Sequence, residues 1–596
     1  MEPVGWLVIG VLVVVVVTSV ARRVGVAAPL LLVLIGLGVS LLPAVPVFDP
    51  GPELILAVIL PPLLYSGAVN MPAMDFRRDL TTISGLSVGL VVLSAVVVGL
   101  VISAVLPGLG LAAGIALGAV VSPTDAVATR IVRSHKVSPR VVTVLEGESL
   151  LNDASALVLL RSAVAAGAAS VSAAHVAGDF VRAVLVAVVV GWLVGKAALW
   201  ARSHVRPATA GVAVSLVVPY VAYLPTEHLG GSGLVAAVAA GLVMGTGAPR
   251  HLRAEDRMTE QAVWRTLELL LESAVFLIMG LELFGLLEDL RGERGDLSTA
   301  LWLAVLTGAL VIAVRAAFVG PSLWLLHRRT ARVANQRDRL TAFEERLDTS
   351  PDELPSRVLG RPERREPTTR EVERVRTRTQ AALSMVRRRI SDIDYIAAEP
   401  FGWREGALLV WAGMRGAITL AAAQSLPAST PHRSMLVLVA FVVAAGTLLM
   451  QGSTLPAVIR WLRLGRTDDP EERTDLEAVQ AELAKAAHER LADPALRRPD
   501  GTPYSEVTLE RVRRVSKTVL QRADKADGEE RAAVLAARAE EEALRLDLID
   551  TQRAALLRLR DEGAYGSDAL AEQLRILDAE QIGLELRAVS PPDEER

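Results

Sequence analysis

Long apolar runs separated by short polar connections occupy the chain up to about residue 327 and return between about 404 and 463. Each run is roughly 17–25 residues long, enough for a helix to cross a hydrocarbon core of about 30 Å. The first four cover about 4–20, 26–42, 53–69 and 80–106. The fifth carries Ser122-Pro123-Thr124-Asp125, and the sixth carries Glu146-Gly147-Glu148-Ser149-Leu150-Leu151-Asn152-Asp153. The next five lie near 176–200, 208–223, 231–246, 263–287 and 297–326. Two more follow at about 405–426 and 435–462. The pattern predicts an all-α polytopic membrane protein with about 13 spans.

Arg and Lys mark every second connection. They follow the first span (Arg22, Arg23), the third (Arg77, Arg78), the fifth (Arg130, Arg133, Lys136, Arg140), the seventh (Arg202, Arg206) and the ninth (Arg250, Arg253, Arg257). The eleventh and last spans are followed by basic residues too. Because cytoplasmic loops retain positive charge, this alternation places the N-terminus outside and the C-terminus in the cytoplasm; the cell (plasma) membrane is the expected location. The first run lacks a basic leader and an A-x-A site, so it reads as a retained span.

Two stretches break the apolar pattern. Residues 328–400 form a charged, Arg-rich insert between the first membrane part (1–327) and the last two spans (401–465). Residues 466–596 are rich in Ala, Leu, Glu and Arg with apolar residues at i, i+3 and i+4. They predict a cytoplasmic helical domain.

Composition sharpens the class. Of 596 residues, 52% are hydrophobic, above the roughly 45–50% of soluble domains. There is no cysteine, which excludes disulfides and thiolate metal sites, and the eight histidines show no ligand spacing. No phosphate-binding loop with its lysine is present, so nucleotide-driven transport is not expected. No cofactor and no nucleic-acid partner are expected, nor is an enzymatic reaction.

The candidate chemistry sits at the fifth and sixth spans. Pro123 lacks an N–H and clashes with the preceding turn, so it breaks its helix and frees carbonyls near Ala119 and Val120. Broken backbone inside a membrane is tolerated only where protein or a water-filled cavity surrounds it, and there it offers cation ligands. Asp125 adds a carboxylate at the break. On the sixth span Glu146, Ser149 and Asp153 share one stripe, and Glu148, Asn152 and Ser155 the next. A cavity reaching Thr124, Asp125, Ser149, Asn152 and Asp153 would present oxygen atoms only, which suits hard cations such as Na⁺ and Li⁺. In the twelfth span Arg415 lies between Gly413 and Gly416, a second interruption. Two interrupted spans suit inverted repeats with crossed discontinuous helices. A buried Arg415 needs a carboxylate, and Glu148 is the expected partner.

The segments LPPLLYSGA, SPTDAVAT, EGESLLNDASALVL and GMRGAITLA, in that order, resemble the monovalent cation:proton antiporter family of NhaP-type bacterial antiporters and eukaryotic NHE exchangers. The resemblance covers the chain to about residue 463. It implies a homodimer, each subunit having a core that moves against a dimerisation domain. It implies that Asp153 binds the ion or proton, that Asp125 shares the Na⁺ site with Thr124 and Ser149, and that Glu148 and Arg415 form a bridge. Some relatives carry an acidic residue where this chain has Ser66, and electrogenic relatives carry a second Asp where it has Asn152. The expected function is electroneutral 1:1 exchange of Na⁺ or Li⁺ for H⁺ in pH and sodium homeostasis. K⁺/H⁺ antiport and a tail-gated cation channel are the alternatives.

Overall fold

The computed structural model describes residues 3–24, 26–42, 51–168, 173–292, 296–348, 385–397 and 401–465. It also describes, with interruptions, parts of 478–510 and 528–589. Much of the insert and the first part of the predicted tail helices lie outside these residues. The described secondary structure is entirely helical.

The chain divides into two compact units. The first comprises 1–252, 259–332 and 396–467, and the second 253–258, 333–395 and 468–596. In the first unit, α1 (Pro3–Val24) and α2 (Ala28–Ser40) are followed by α3 (Leu54–Asn70) and α4 (Ala73–Val105). Two short helices, α5 (Leu111–Val121) and α6 (Val127–Ser134), flank the break at Ser122–Ala126. Then come α7 (Pro139–Ala168), α8 (Ala173–His204), α9 (Ala208–His228) and α10 (Gly233–His251). They lead to α11 (Ala254–Leu281), α12 (Leu283–Gly292) and α13 (Leu297–Leu326). A second broken pair, α14 (Trp403–Trp411) and α15 (Ala417–Gln424), precedes α16 (Arg433–Leu462). Among the described residues, eight helices are long and apolar enough to cross a membrane, and four shorter apolar ones accompany them. The second unit contains α17 (Gly528–Glu562) and α18 (Ser567–Val589), which pack through Ile549, Leu577 and Leu584.

Local chemistry explains several of these forms. Pro61 and Pro62 leave carbonyls one turn earlier without donors, and the backbone over Leu54–Ile59 widens to a π turn. The freed carbonyl of Val58 accepts the Tyr220 hydroxyl at 2.8 Å. Helix α13 starts at Asp296, whose carboxylate caps the backbone N–H groups of Ser298 and Thr299. Hydrogen bonds from the Ser298 and Thr299 side chains hold the Asp296 carboxyl down to about 2. On α10, Gly241 and Gly245 face the carbonyls of Tyr65 and Val69 on α3, and a Cβ at either would strike that backbone. Such small residues one turn apart let two helices meet closely in a membrane.

Apolar side chains cover the outside of these helices, as lipid requires. Leu185, Val189, Leu193 and Val305 are exposed. Trp200, Trp324 and Trp461 are also exposed, each within a turn of the end of α8, α13 or α16 that leads to a basic segment. Amphipathic rings favour that interfacial depth. Several charges turned inward are paired. Arg140 binds Asp79 at 2.8 Å and lies 4.6 Å from the Phe401 ring centre, and Arg202 binds Glu260 with both terminal nitrogens at 2.8 and 2.9 Å.

Candidate ion-binding site

Each interrupted helix leaves two charged ends. A helix N-terminus carries partial positive charge and a C-terminus partial negative charge. The breaks lie against one another: the Asp125 N–H donates to the Met414 carbonyl at 2.8 Å. Asp125 thus sits at both N-terminal ends. Its Oδ1 accepts the Val127 N–H at 2.8 Å at the start of α6. Its Oδ2 packs against Gly416, which caps α15, and a Cβ there would coincide with that oxygen. The carboxylate is stabilised by two helix ends, and residue 416 must have no side chain.

The C-terminal ends take arginines. Arg415 donates through Nε to the Val121 carbonyl at the end of α5, at 2.9 Å, and through Nη1 to the Gly413 carbonyl. Its own N–H is held by Thr447 Oγ1 at 3.1 Å. Arg315, on α13, donates through Nε to the Leu409 carbonyl of α14 at 2.8 Å. So Val121 holds a carbonyl that the Pro123 break left exposed.

The expected Glu148–Arg415 bridge is corrected here. Glu148 Oε2 accepts Arg315 Nη2 at 2.8 Å, and Oε1 accepts Arg315 Nη1. All three side chains are buried. Glu148 faces α13, and Arg415 is spent on the helix ends at the crossing. Arg315 went unremarked in the sequence, although a lone charge in an apolar run is a signal of function or pairing.

Four other expected residues come together. Asn152 Nδ2 donates to Thr124 Oγ1 at 2.7 Å, and Thr124 Oγ1 donates to Glu148 Oε1 at 3.2 Å. Ser149 Oγ donates to the Thr124 carbonyl at 3.1 Å. The Asn152 side-chain oxygen, Oδ1, is buried without a hydrogen-bond partner. Asp153 is buried one residue further along α7. Asp125 itself is half-buried. The result is a set of carboxylate, hydroxyl, amide and backbone oxygens around two acidic groups, with the neutral ones locked by hydrogen bonds. Such a set can take a small hard cation, or a proton on a carboxylate.

Ser66 occupies a different place. Its hydroxyl donates to Glu268 Oε2 on α11 at 3.3 Å. One turn on, Glu272 binds both terminal nitrogens of Arg130 on α6. Sequence reasoning passed over both glutamates. Their spacing of i, i+4 in the apolar second half of α11 is the signal that could have found them.

Residues 10–343 and 379–461 match the family described as "Sodium/hydrogen exchanger, transmembrane". The chain belongs to the sodium/hydrogen exchanger family. Its members are transporters that exchange cations for protons, not enzymes. The exchanger is 31% identical over 583 residues to a protein named an uncharacterized Na(+)/H(+) exchanger of Mycobacterium tuberculosis, covering 96% of this chain and 94% of that one. It is 31% identical over 267 residues to the "Sodium, potassium, lithium and rubidium/H(+) antiporter" of Bacillus subtilis, covering 43% of this chain and 39% of that one. Its fold is similar to the sodium proton antiporter MjNhaP1 of Methanocaldococcus jannaschii, with a TM-score of 0.52 and 17% identity over 78% of this chain and 99% of that one.

Proposed function

We propose that this exchanger carries Na⁺ or Li⁺ against H⁺, one for one, through a site made by Asp125 and Asp153. The observation that carries the reading is the Asp125 carboxylate at the crossing of two broken helices, with Asp153 buried on α7 next to Asn152, which bonds Thr124. Thr124, Ser149 and Asn152 supply the neutral oxygens, and Asp125 and Asp153 are the direct Na⁺ ligands. Proton and cation compete for Asp153, so the loaded forms cross and the empty charged form does not. Asn152 cannot release a proton, which leaves one carboxylate to cycle one charge in each direction. The alternating basic connections support a plasma-membrane protein with its N-terminus outside and its C-terminus cytoplasmic. A homodimer is part of the proposal.

A second reading, K⁺/H⁺ antiport, draws support from the B. subtilis relative, whose name includes potassium. Purified protein in liposomes, with proton flux followed by a pH-sensitive dye, tests both. Na⁺- or Li⁺-dependent flux is expected. Flux with K⁺ and none with Na⁺ selects the second reading, and no cation-dependent flux rejects antiport.

A further inference from the structure

Beyond Asp153, α7 continues in the same stripe with Leu157, Leu160, Arg161 and Val164. These residues line a cavity of about 340 Å³. Its other walls include Tyr223 and Glu227 at the end of α9, Ser232 and Leu234 at the start of α10, and Ser425, which ends α15. The cavity therefore begins one turn from Asp153. It touches the far ends of two helices, α7 and α15, whose other residues build the ion site.

One ion pair bridges the cavity. Arg161 Nη1 donates to Glu227 Oε2 at 2.6 Å. Glu227 is held in place on its own side, because its Oε1 accepts the Gly233 N–H at 2.9 Å. Arg161 is the more exposed partner: its side chain is 59% exposed, against 24% for Glu227. A carboxylate anchored at the start of α10 faces a more exposed guanidinium across a space lined by apolar side chains and by Tyr223, Ser232 and Ser425. The α7 groups that the proposed site uses, Ser149, Asn152 and Asp153, lie deeper along that helix than Arg161.

We propose that Arg161–Glu227 is a gate on the side opposite the basic Arg133–Arg140 connection, and that the cavity is the vestibule through which the cation reaches Asp153 from that side. This rests on the antiport reading above. With the pair closed, the guanidinium repels a cation and blocks the way. With it open, Glu227 becomes the first carboxylate oxygen an incoming Na⁺ meets. In the proposed orientation this is the external side. The pair links α7 to the α9–α10 turn, so separating those elements breaks it.

The natural absence of cysteine makes the test direct. Arg161→Cys with Glu227→Cys in the full chain can be joined by a short bis-methanethiosulfonate reagent in proteoliposomes. Na⁺-dependent proton flux is expected before joining, to fall at least about tenfold after it, and to return on reduction. Single-cysteine variants treated alike should keep their rate. Full exchange by demonstrably cross-linked protein overturns the gate. A second measurement needs no transport. Leu157→Cys should react with a membrane-impermeant maleimide at least about tenfold faster when Arg161 is also replaced by Ala, and equal rates overturn the proposal even if the antiport reading stands. Faster labelling in protein that shows no cation-dependent flux would reject antiport and keep the gate.

Discussion

Glu148 grips Arg315 with both carboxylate oxygens, while Arg415, the arginine its motif points to, donates to the carbonyls of Val121 and Gly413. A buried pair broken on one side strands a charge, at a cost of about 3–5 kcal/mol. Glu148→Ala and Arg315→Ala are each expected to lower the melting temperature and the yield of folded protein. A double-mutant cycle should show strong coupling, of roughly 1–3 kcal/mol, between positions 148 and 315 and a smaller one between 148 and 415. Stronger coupling to 415 would contradict the pairing.

Gly416 is expected to tolerate no side chain. A methyl group there must displace the Asp125 carboxylate from the two helix ends that hold it. Gly416→Ala should raise the cation KM by about tenfold or more, equivalent to ~1.4 kcal/mol of lost binding. Flux measured against Na⁺ concentration decides it. An unchanged KM in folded protein would remove Asp125 from the site.

The break at Ser122–Ala126 and the two neighbouring stripes that carry Ser149 with Asp153 and Glu148 with Asn152 were legible in the sequence. Proline chemistry and helical spacing are local rules, and the structure keeps Thr124, Ser149 and Asn152 in one hydrogen-bonded group. The partner of Glu148 was not legible. Arg315 and Arg415 are both lone charges in apolar runs, and only the path of the chain decides which faces α7. The glycines around Arg415 drew attention to it, yet they serve the crossing: Gly416 admits Asp125, and the Gly413 carbonyl receives the guanidinium. The meeting of Ser66 with Glu268 was likewise hidden, because it depends on how α3 packs against α11 and not on either sequence alone.

Exchange is expected to be electroneutral. Asn152 spends its amide on Thr124 and has no proton to release. In liposomes clamped with potassium and valinomycin, a membrane potential without ion gradients should drive no cation uptake. Potential-driven uptake would mean that more than one charge cycles.

The C-terminal region is expected to be dispensable for the exchange itself. All proposed ligands lie in the first unit, before its end at residue 467. Protein truncated after about residue 470 should retain Na⁺-dependent proton flux, with any change confined to its pH profile. Complete loss in folded, truncated protein would place the tail within the transport cycle.

The central claim is that proton and cation compete for Asp153. Lower pH should then raise the apparent KM for Na⁺, because protons occupy the carboxylate, while the maximum rate changes less. The most direct test compares Na⁺-dependent proton flux in proteoliposomes across pH for the natural chain and for Asp153→Asn. The natural chain should exchange with a KM that rises as pH falls, and the folded Asn variant should show no exchange at any pH. Robust exchange by Asp153→Asn would contradict the site and the mechanism built on it.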